Sequence, residues 1–183
     1  DRIAPQTTEV SRNPKHKYLV SDVTKPLPVS NDFTHAAIIL ALQNIQSPVK
    51  ALHNVSQHLI KNGCLVLVLN HPAFRIPRQS GWGWDEGRKL QYRRIDRYLT
   101  PLAVPMKAYS SQHTGVTTSF HRPLQDYINC LGNHDFVIDR ILEIPTYKAS
   151  QPGPNARAEN LSFREIPQFL AIRASYAKLY KNA

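Results

Sequence analysis

His71 stands just past the apolar run Cys64 to Leu69, separated from it by Asn70, and directly before Pro72, and Arg75, Trp82 and Tyr92 follow in a stretch rich in rings and cations. An imidazole ordinarily titrates at about pH 6.5, so a histidine in such a place can act as a general base near neutrality. Open α/β sheets hold their ligands just past the carboxyl ends of their strands, which is where the preceding run puts His71. The same ring can instead pack on Pro72 and cap the strand. Arg75 can clamp an anion through paired N–H donors. Trp82 or Tyr92 can floor a pocket, or serve only to hold a long loop down.

Other chemistries lack their signatures. The eight histidines include no His-Glu-x-x-His arrangement, and Cys64 and Cys130 form no Cys-x-x-Cys pair. No metal is therefore expected. Neither a Gly-x-Ser-x-Gly elbow nor a phosphate loop occurs, which removes the commonest hydrolase and triphosphatase signals. The net charge of +10 favours polyanions. Arg75, Arg78, Arg88, Lys89, Arg93, Arg94 and Arg97 face only Asp85, Glu86 and Asp96 over the same stretch, with Trp82, Trp84, Tyr92 and Tyr98 interleaved. Cations alternating with aromatic faces can build a single-stranded nucleic-acid platform, and they equally suit a solvated loop packed down by its own rings.

The elements that must position these residues read as alternating strands and helices, the pattern of an α/β sheet. Lys17 to Ser21 reads as a short strand ending at Asp22, before a turn through Lys25, Pro26, Leu27 and Pro28. Phe33 to Leu42 holds the apolar run Ala36-Ala37-Ile38-Ile39-Leu40, which suits a central strand buried on both faces. Ser47 and Pro48 open a helix carrying Val49, Leu52, Val55 and Leu59, stopped by Asn62-Gly63. Cys64 to Leu69 follows as an all-apolar strand, so Phe33 to Asn70 forms a strand-helix-strand crossover of the kind that makes parallel sheets. From His71 to Arg122 the periodicity fades, and Ile95 to Thr100 is expected to pair with Val116 to Phe120 as a hairpin. Pro123 opens a helix through Leu124, Tyr127, Ile128 and Leu131 with Gly132 at its end. Phe136 to Ile144 and Gln168 to Arg173 read as the final two strands, and Lys148 to Glu159, with Pro152-Gly153-Pro154, as a flexible loop between them.

A chain of 183 residues with 42% hydrophobic content supplies one core, so 1–183 is expected to be a single domain. Its apolar runs are far shorter than the roughly 20 residues of a membrane span. Two isolated cysteines and the lack of a signal segment lead to the expectation of a soluble protein in a reducing cytoplasm. A start at Asp1 rather than Met leads to the expectation that the native N-terminus lies elsewhere.

Element order and four stretches resemble the class I S-adenosylmethionine-dependent methyltransferases. The stretches are Tyr18-Leu19-Val20-Ser21-Asp22-Val23, Phe33 to Pro48 with its Leu42-Gln43-Asn44-Ile45 ending, Leu59 to Leu69, and Asn70-His71-Pro72-Ala73-Phe74-Arg75. The resemblance covers nearly the whole chain and rests on order and spacing. It implies a Rossmann-like α/β sheet, N-terminally truncated, with a C-terminal antiparallel strand pair. It also implies S-adenosylmethionine as cofactor and methyl transfer to an acceptor heteroatom. On family position Asp22 accepts from the adenine amino group, the Val23 backbone reads the neighbouring ring nitrogen, and Leu40, Ala41 and Gln43 line the cofactor cleft. Each has a plainer reading: Asp22 ends a strand, Leu40 packs in the core, Gln43 meets solvent. His71 becomes the candidate base, Arg75, Trp82 and Tyr92 the candidate acceptor contacts, and 71–122 a long acceptor-side loop or hairpin insertion.

The sequence departs from the family in having no glycine before Gly63. The family's glycine-rich turn lets the backbone approach the ligand closely, and nothing here replaces it. Family strand order would set absent strands between Lys17–Ser21 and Phe33–Leu42. The chain is therefore expected to pair its first strand elsewhere, to leave its N-terminal segment loose, or to expose an apolar sheet edge prone to association. The alternative function is a non-catalytic methyltransferase-like module that binds nucleic acid or a protein through its basic aromatic loop.

Overall fold

The structure is a computed structural model that describes residues 16–107 and 116–177. Its centre is a four-stranded mixed sheet of order β1-β2-β8-β7. The two strands of the expected crossover, β1 (Phe33–Ile39) and β2 (Leu59–Asn70), run parallel, with Ala36 opposite Leu65 and Ile39 opposite Val68. Between them α1 (Pro48–His58) begins as read: Ser47 Oγ accepts from Lys50 N at 3.4 Å and Pro48 takes the first turn, where a missing N–H costs nothing.

The core follows from alternation. Leu65, Leu67 and Leu69 of β2 and Leu170, Ile172 and Ala174 of β8 (Phe169–Tyr176) are buried on one face, together with Leu52 of α1 and Leu131 of α2 (Leu124–Asn133). β7 (Phe136–Ile144) closes the sheet as an antiparallel partner of β8, as expected for the C-terminal pair.

Three expected elements are corrected. Lys17 to Ser21 is not a strand: residues 16–22 have no regular structure, and Tyr18, Leu19 and Val20 are exposed. A strand needs a neighbour to take its backbone donors and acceptors, and none lies beside this segment among the described residues. β1 is an edge strand rather than a central one. Ala36 and Ile38 are half-buried while Phe33 and Ile39 are exposed, because its outer edge has no partner among the described residues. Part of the expected loop from Lys148 to Glu159 is helical, since α3 spans Ala156–Glu165. Ser150 ties the preceding loop down by donating from N to Asn160 Oδ1 at 3.0 Å and from its hydroxyl to the Ala156 carbonyl at 3.3 Å.

Residues 71–122 hold two antiparallel hairpins, β3 (Ser80–Asp85) with β4 (Leu90–Ile95), and β5 (Leu102–Lys107) with β6 (Val116–His121). The expected pairing of Ile95 to Thr100 with Val116 to Phe120 is thus half right. β6 is present, but its partner is β5, which contains Pro105. A proline cannot donate to a ladder, and a two-stranded hairpin tolerates it on an open edge. The tip of that hairpin lies outside the described residues.

β7 shifts register between Ile138 and Arg140, and Asp139 is the residue left over. Its carboxylate accepts from Arg173 Nε and from Ser175 Oγ of β8, and these contacts, the Arg173 hydrogen bond foremost, hold its pKa below the usual carboxylate value. A depressed carboxylate stabilises the fold above its unfolded pKa of about 3.9 and loses that contribution as pH falls through the folded value. Asp139→Asn is expected to lower stability modestly near neutrality and to flatten the acid limb, the difference from the parent vanishing as pH falls below about 4, as read by urea midpoints across pH. An unchanged acid limb would contradict this.

Candidate active site at the carboxyl ends of the parallel strands

Three backbone segments carry the candidate residues: the Asp22–Lys25 turn, which packs on α1, and the 40–44 and 71–75 turns, which follow β1 and β2. The first is an aspartate-initiated turn. Asp22 Oδ1 accepts from Thr24 N at 2.9 Å and from Thr24 Oγ1 at 2.7 Å, and Lys25 N donates to the Asp22 carbonyl at 3.0 Å. These bonds, with Lys25 and Lys50 nearby, hold the Asp22 carboxyl below its ordinary pKa. Asn54 of α1, 8% exposed, anchors the turn. Its Nδ2 donates to the Val23 carbonyl at 2.7 Å and to the Lys25 carbonyl at 2.6 Å.

At the end of β1 the chain reverses through Leu40, whose φ of 49° lies in the left-handed region that side chains with a Cβ avoid. Leu40 N donates to the Val68 carbonyl at 2.8 Å, and Gln43 Nε2 to the Leu40 carbonyl at 2.8 Å. Ala41, exposed, precedes the single 3-10 turn Leu42–Asn44. Gln43 is 8% exposed, so its reading as a solvent contact is set aside, and its Oε1 is buried with no hydrogen-bond partner. Arg122, which follows β6, reaches over this turn. Its Nη2 donates to the Ile45 carbonyl at 3.0 Å and the Gln46 carbonyl at 2.7 Å, while its Nη1 is also buried and unpartnered. Gln43, Arg122, Asn70, Arg75 and Tyr127 line one small polar cleft.

His71 is buried directly after β2. Its Nδ1 faces two backbone donors, Ala73 N at 3.2 Å and Phe74 N at 3.4 Å, and must therefore be the accepting nitrogen. The proton then sits on Nε2, which donates to Glu143 Oε1 of β7 at 2.9 Å. Both nitrogens are engaged in this arrangement. His71 thus fixes the 71–75 turn and joins it to the far strand of the sheet.

That turn presents Arg75, whose guanidinium lies 4.9 Å above the Phe169 ring. Arg75, Trp82, Arg93, Lys148, Phe163 and Phe169 share a cleft of about 580 Å³. Trp82 meets Phe163 of α3 edge-on at 5.4 Å, and Arg93 stands 5.0 Å from the Trp82 ring while donating to Phe74 O and Ser80 Oγ. Burial, with Arg75 close by, holds the Arg93 pKa below its ordinary value. Tyr92 is not brought here. It pairs with Gly83, and since successive side chains of a strand point to opposite faces, it lies on the other side of the hairpin from Trp82 and Arg93. Its ring occupies the space over Gly83, where an added Cβ would come within 2.5 Å of Tyr92 Cζ.

Of the candidate residues, Leu40, Ala41, Gln43, His71, Arg75 and Trp82 lie along this end of the sheet or its adjoining hairpin. Sequence reading did not single out Asn54, Arg122, Glu143 or Phe169, which anchor, bridge or floor the site from distant segments. The signal they carried was weak: one of several polar residues on its helix for Asn54, and a position next to a predicted element for Arg122. Among the described residues no group of histidine, cysteine or carboxylate side chains could hold a metal, and no helix is long and apolar enough to cross a membrane.

The chain matches no protein-family model and no curated protein. Its fold does match solved structures. It is similar to an S-adenosylmethionine dependent methyltransferase from Mesorhizobium loti, at 24% identity and a TM-score of 0.63, over 85% of this chain and 67% of that one. A Listeria monocytogenes structure described as of the same kind gives 23% identity and a TM-score of 0.62, again over 85% and 67%. A Haloferax volcanii structure, solved in complex with the Trm112 methyltransferase activator, gives 12% identity and a TM-score of 0.52 over 86% of this chain and 60% of that one. The chain therefore spans about two thirds of the length of the first two.

Proposed function

We propose that this chain, whose fold is that of the class I S-adenosylmethionine-dependent methyltransferases, serves methyl transfer from S-adenosylmethionine to an acceptor bound beside Arg75 and Trp82. The observation that carries this reading is the likeness of the fold to two solved S-adenosylmethionine-dependent methyltransferases, with the strained Leu40 turn standing at the end of β1. Backbone strain of this kind is found preferentially at ligand sites.

The residues present fit one side of the cofactor. Asp22 keeps its second carboxylate oxygen toward solvent and Lys25, at 3.9 Å from Lys25 Nζ, and can accept from an adenine amino group, as the family resemblance implies. Val23 lies beside it, its carbonyl fixed by Asn54, and on family position Leu40 and Ala41 would line the cofactor cleft. When bound, S-adenosylmethionine supplies an electrophilic sulfonium methyl. This chain's residues align the acceptor and exclude water, and alignment is the larger part of what such a displacement requires. His71 acts as a positioning residue, holding the 71–75 turn and hence Arg75, and an acceptor proton leaves to water. The open β1 edge is where a further strand, from the same or another polypeptide, would add.

Calorimetric titration with S-adenosylhomocysteine tests the reading without the acceptor. Binding near micromolar, about 8 kcal/mol, is expected, with Asp22→Ala weakening it by about tenfold. No heat up to millimolar product would mean that this chain alone does not hold the cofactor and would remove the proposal for it.

A further inference from the structure

The cleft between the 71–75 turn, hairpin β3–β4 and α3 has a composition that selects a ligand class. We infer that it binds a small planar aromatic molecule bearing an anionic group, an inference that names the acceptor class and so rests on the methyl-transfer reading. The rings of Trp82, Phe163 and Phe169 give it aromatic walls. Its charged lining residues are Arg75, Arg93 and Lys148, and no carboxylate lines it. Glu143, near the end of β7, is turned to His71.

The donors are unequally available. Arg93 spends Nε on the Phe74 carbonyl and Nη2 on Ser80 Oγ, so it braces the wall and contributes mainly charge. Arg75 and Lys148 are exposed at the cleft and can converge on one anion. A guanidinium already lying over a ring favours a further planar group in its vicinity, because its flat face stacks while its edge donates. A volume of about 580 Å³ lies within the range of small-molecule sites.

An extended nucleic-acid strand fits less well. A strand-binding surface needs cations and rings continuous along one face. Here Arg94 pairs with Asp96 at 2.9 Å, Lys89 with Glu86 at 2.9 Å and Arg88 with Asp85 at 4.0 Å, and Tyr92 lies on the opposite face of the hairpin from Trp82. Three of the seven cations of this stretch are thereby paired with carboxylates, Arg78 donates to the Pro105 carbonyl, and Arg75 and Arg93 turn to the concave group.

Trp82 and Trp84 are the two tryptophans of the sequence, so their indole N–H resonances in the 15N-labelled chain are assigned with one variant, Trp84→Phe. The protein is titrated with 2-naphthoate, neutral 2-naphthamide, acetate and an oligothymidylate. The expected result is a saturable shift of the Trp82 resonance by naphthoate, about tenfold weaker binding of the amide, and no shift with acetate. Arg75→Ala combined with Lys148→Ala is expected to weaken naphthoate about tenfold and leave the amide unchanged. Equal binding of amide and acid, a Trp82 resonance unmoved by naphthoate, or a response to the oligothymidylate at lower concentration than to naphthoate would overturn the inference. Parallel titration with S-adenosylhomocysteine separates the two readings. Cofactor binding with an unmoved Trp82 rejects the ligand class alone, and naphthoate binding without cofactor binding rejects methyl transfer alone.

Discussion

Replacing Asn54 by leucine is expected to weaken S-adenosylhomocysteine binding by at least about tenfold and to lower unfolding stability by about 2 kcal/mol. Leucine keeps the number and branching of the side-chain heavy atoms, so no cavity opens, and the change removes two hydrogen bonds. Both Nδ2 hydrogens of Asn54 are used, one on the Val23 carbonyl and one on the Lys25 carbonyl. Without them two partly buried carbonyls lose their donors, and the segment carrying Asp22 is no longer fixed to α1. His58 adds a weaker tie, with its Nδ1 on the Asn54 carbonyl at 2.8 Å and its Nε2 3.4 Å from the Leu27 carbonyl. Because this geometry sets the position of Asp22, affinity is expected to fall further than the loss of fold stability alone would cause. Denaturant unfolding and calorimetry on the same preparation check it. A variant destabilised as stated but binding like the parent would show that the Asp22–Lys25 turn takes no part in holding the adenine.

His71→Leu carries the other large effect, a loss of about 3 kcal/mol in stability. The imidazole accepts from the Ala73 and Phe74 amides on one side and donates to Glu143 on the other, and its ring meets Phe74 at 4.7 Å. Leucine can do none of the polar work, and the stranded amides lie in a part-buried turn. The partner change Glu143→Gln is expected to cost under about 1 kcal/mol, since the glutamate side chain is 59% exposed and an amide oxygen can still accept from Nε2. Urea unfolding of the two variants checks the positioning role before any acceptor is known, and an unchanged stability of His71→Leu would contradict it.

Local chemistry made much of the fold legible in the sequence. Ser47-Pro48 opening α1, the apolar run of β2, and the pair β7 and β8 depend on residues that are neighbours along the chain. What failed depends on neighbours across space. Among the described residues Tyr18-Leu19-Val20 has the composition of a strand but finds no partner, and Phe33 to Ile39 has that of a central strand yet stands at an edge. Strand β5 was hidden by Pro105, which only the openness of a two-stranded hairpin makes acceptable. At the site, Arg75 and Trp82 could be named because cation and ring lie in one stretch. The residues that fix their surroundings, Glu143 and Phe169, follow from the return of the chain along β7 and β8, which no local pattern carries.

That return has a consequence in time. Strands β1 and β2 meet through a short crossover, whereas Leu67 of β2 must find Ile172 of β8, about 100 residues on, and the entropy of closing so long a loop is met before the pairing rewards it. Phe169 floors the cleft from the first residue of β8, and Glu143 reaches His71 from β7. The strand-helix-strand unit can therefore form early, while the ligand cleft must wait until β8 has been synthesised and docked. During translation the chain would carry a folded half-sheet with its apolar β2 edge uncovered, and docking of β8 is the step that both protects that edge and creates the binding site.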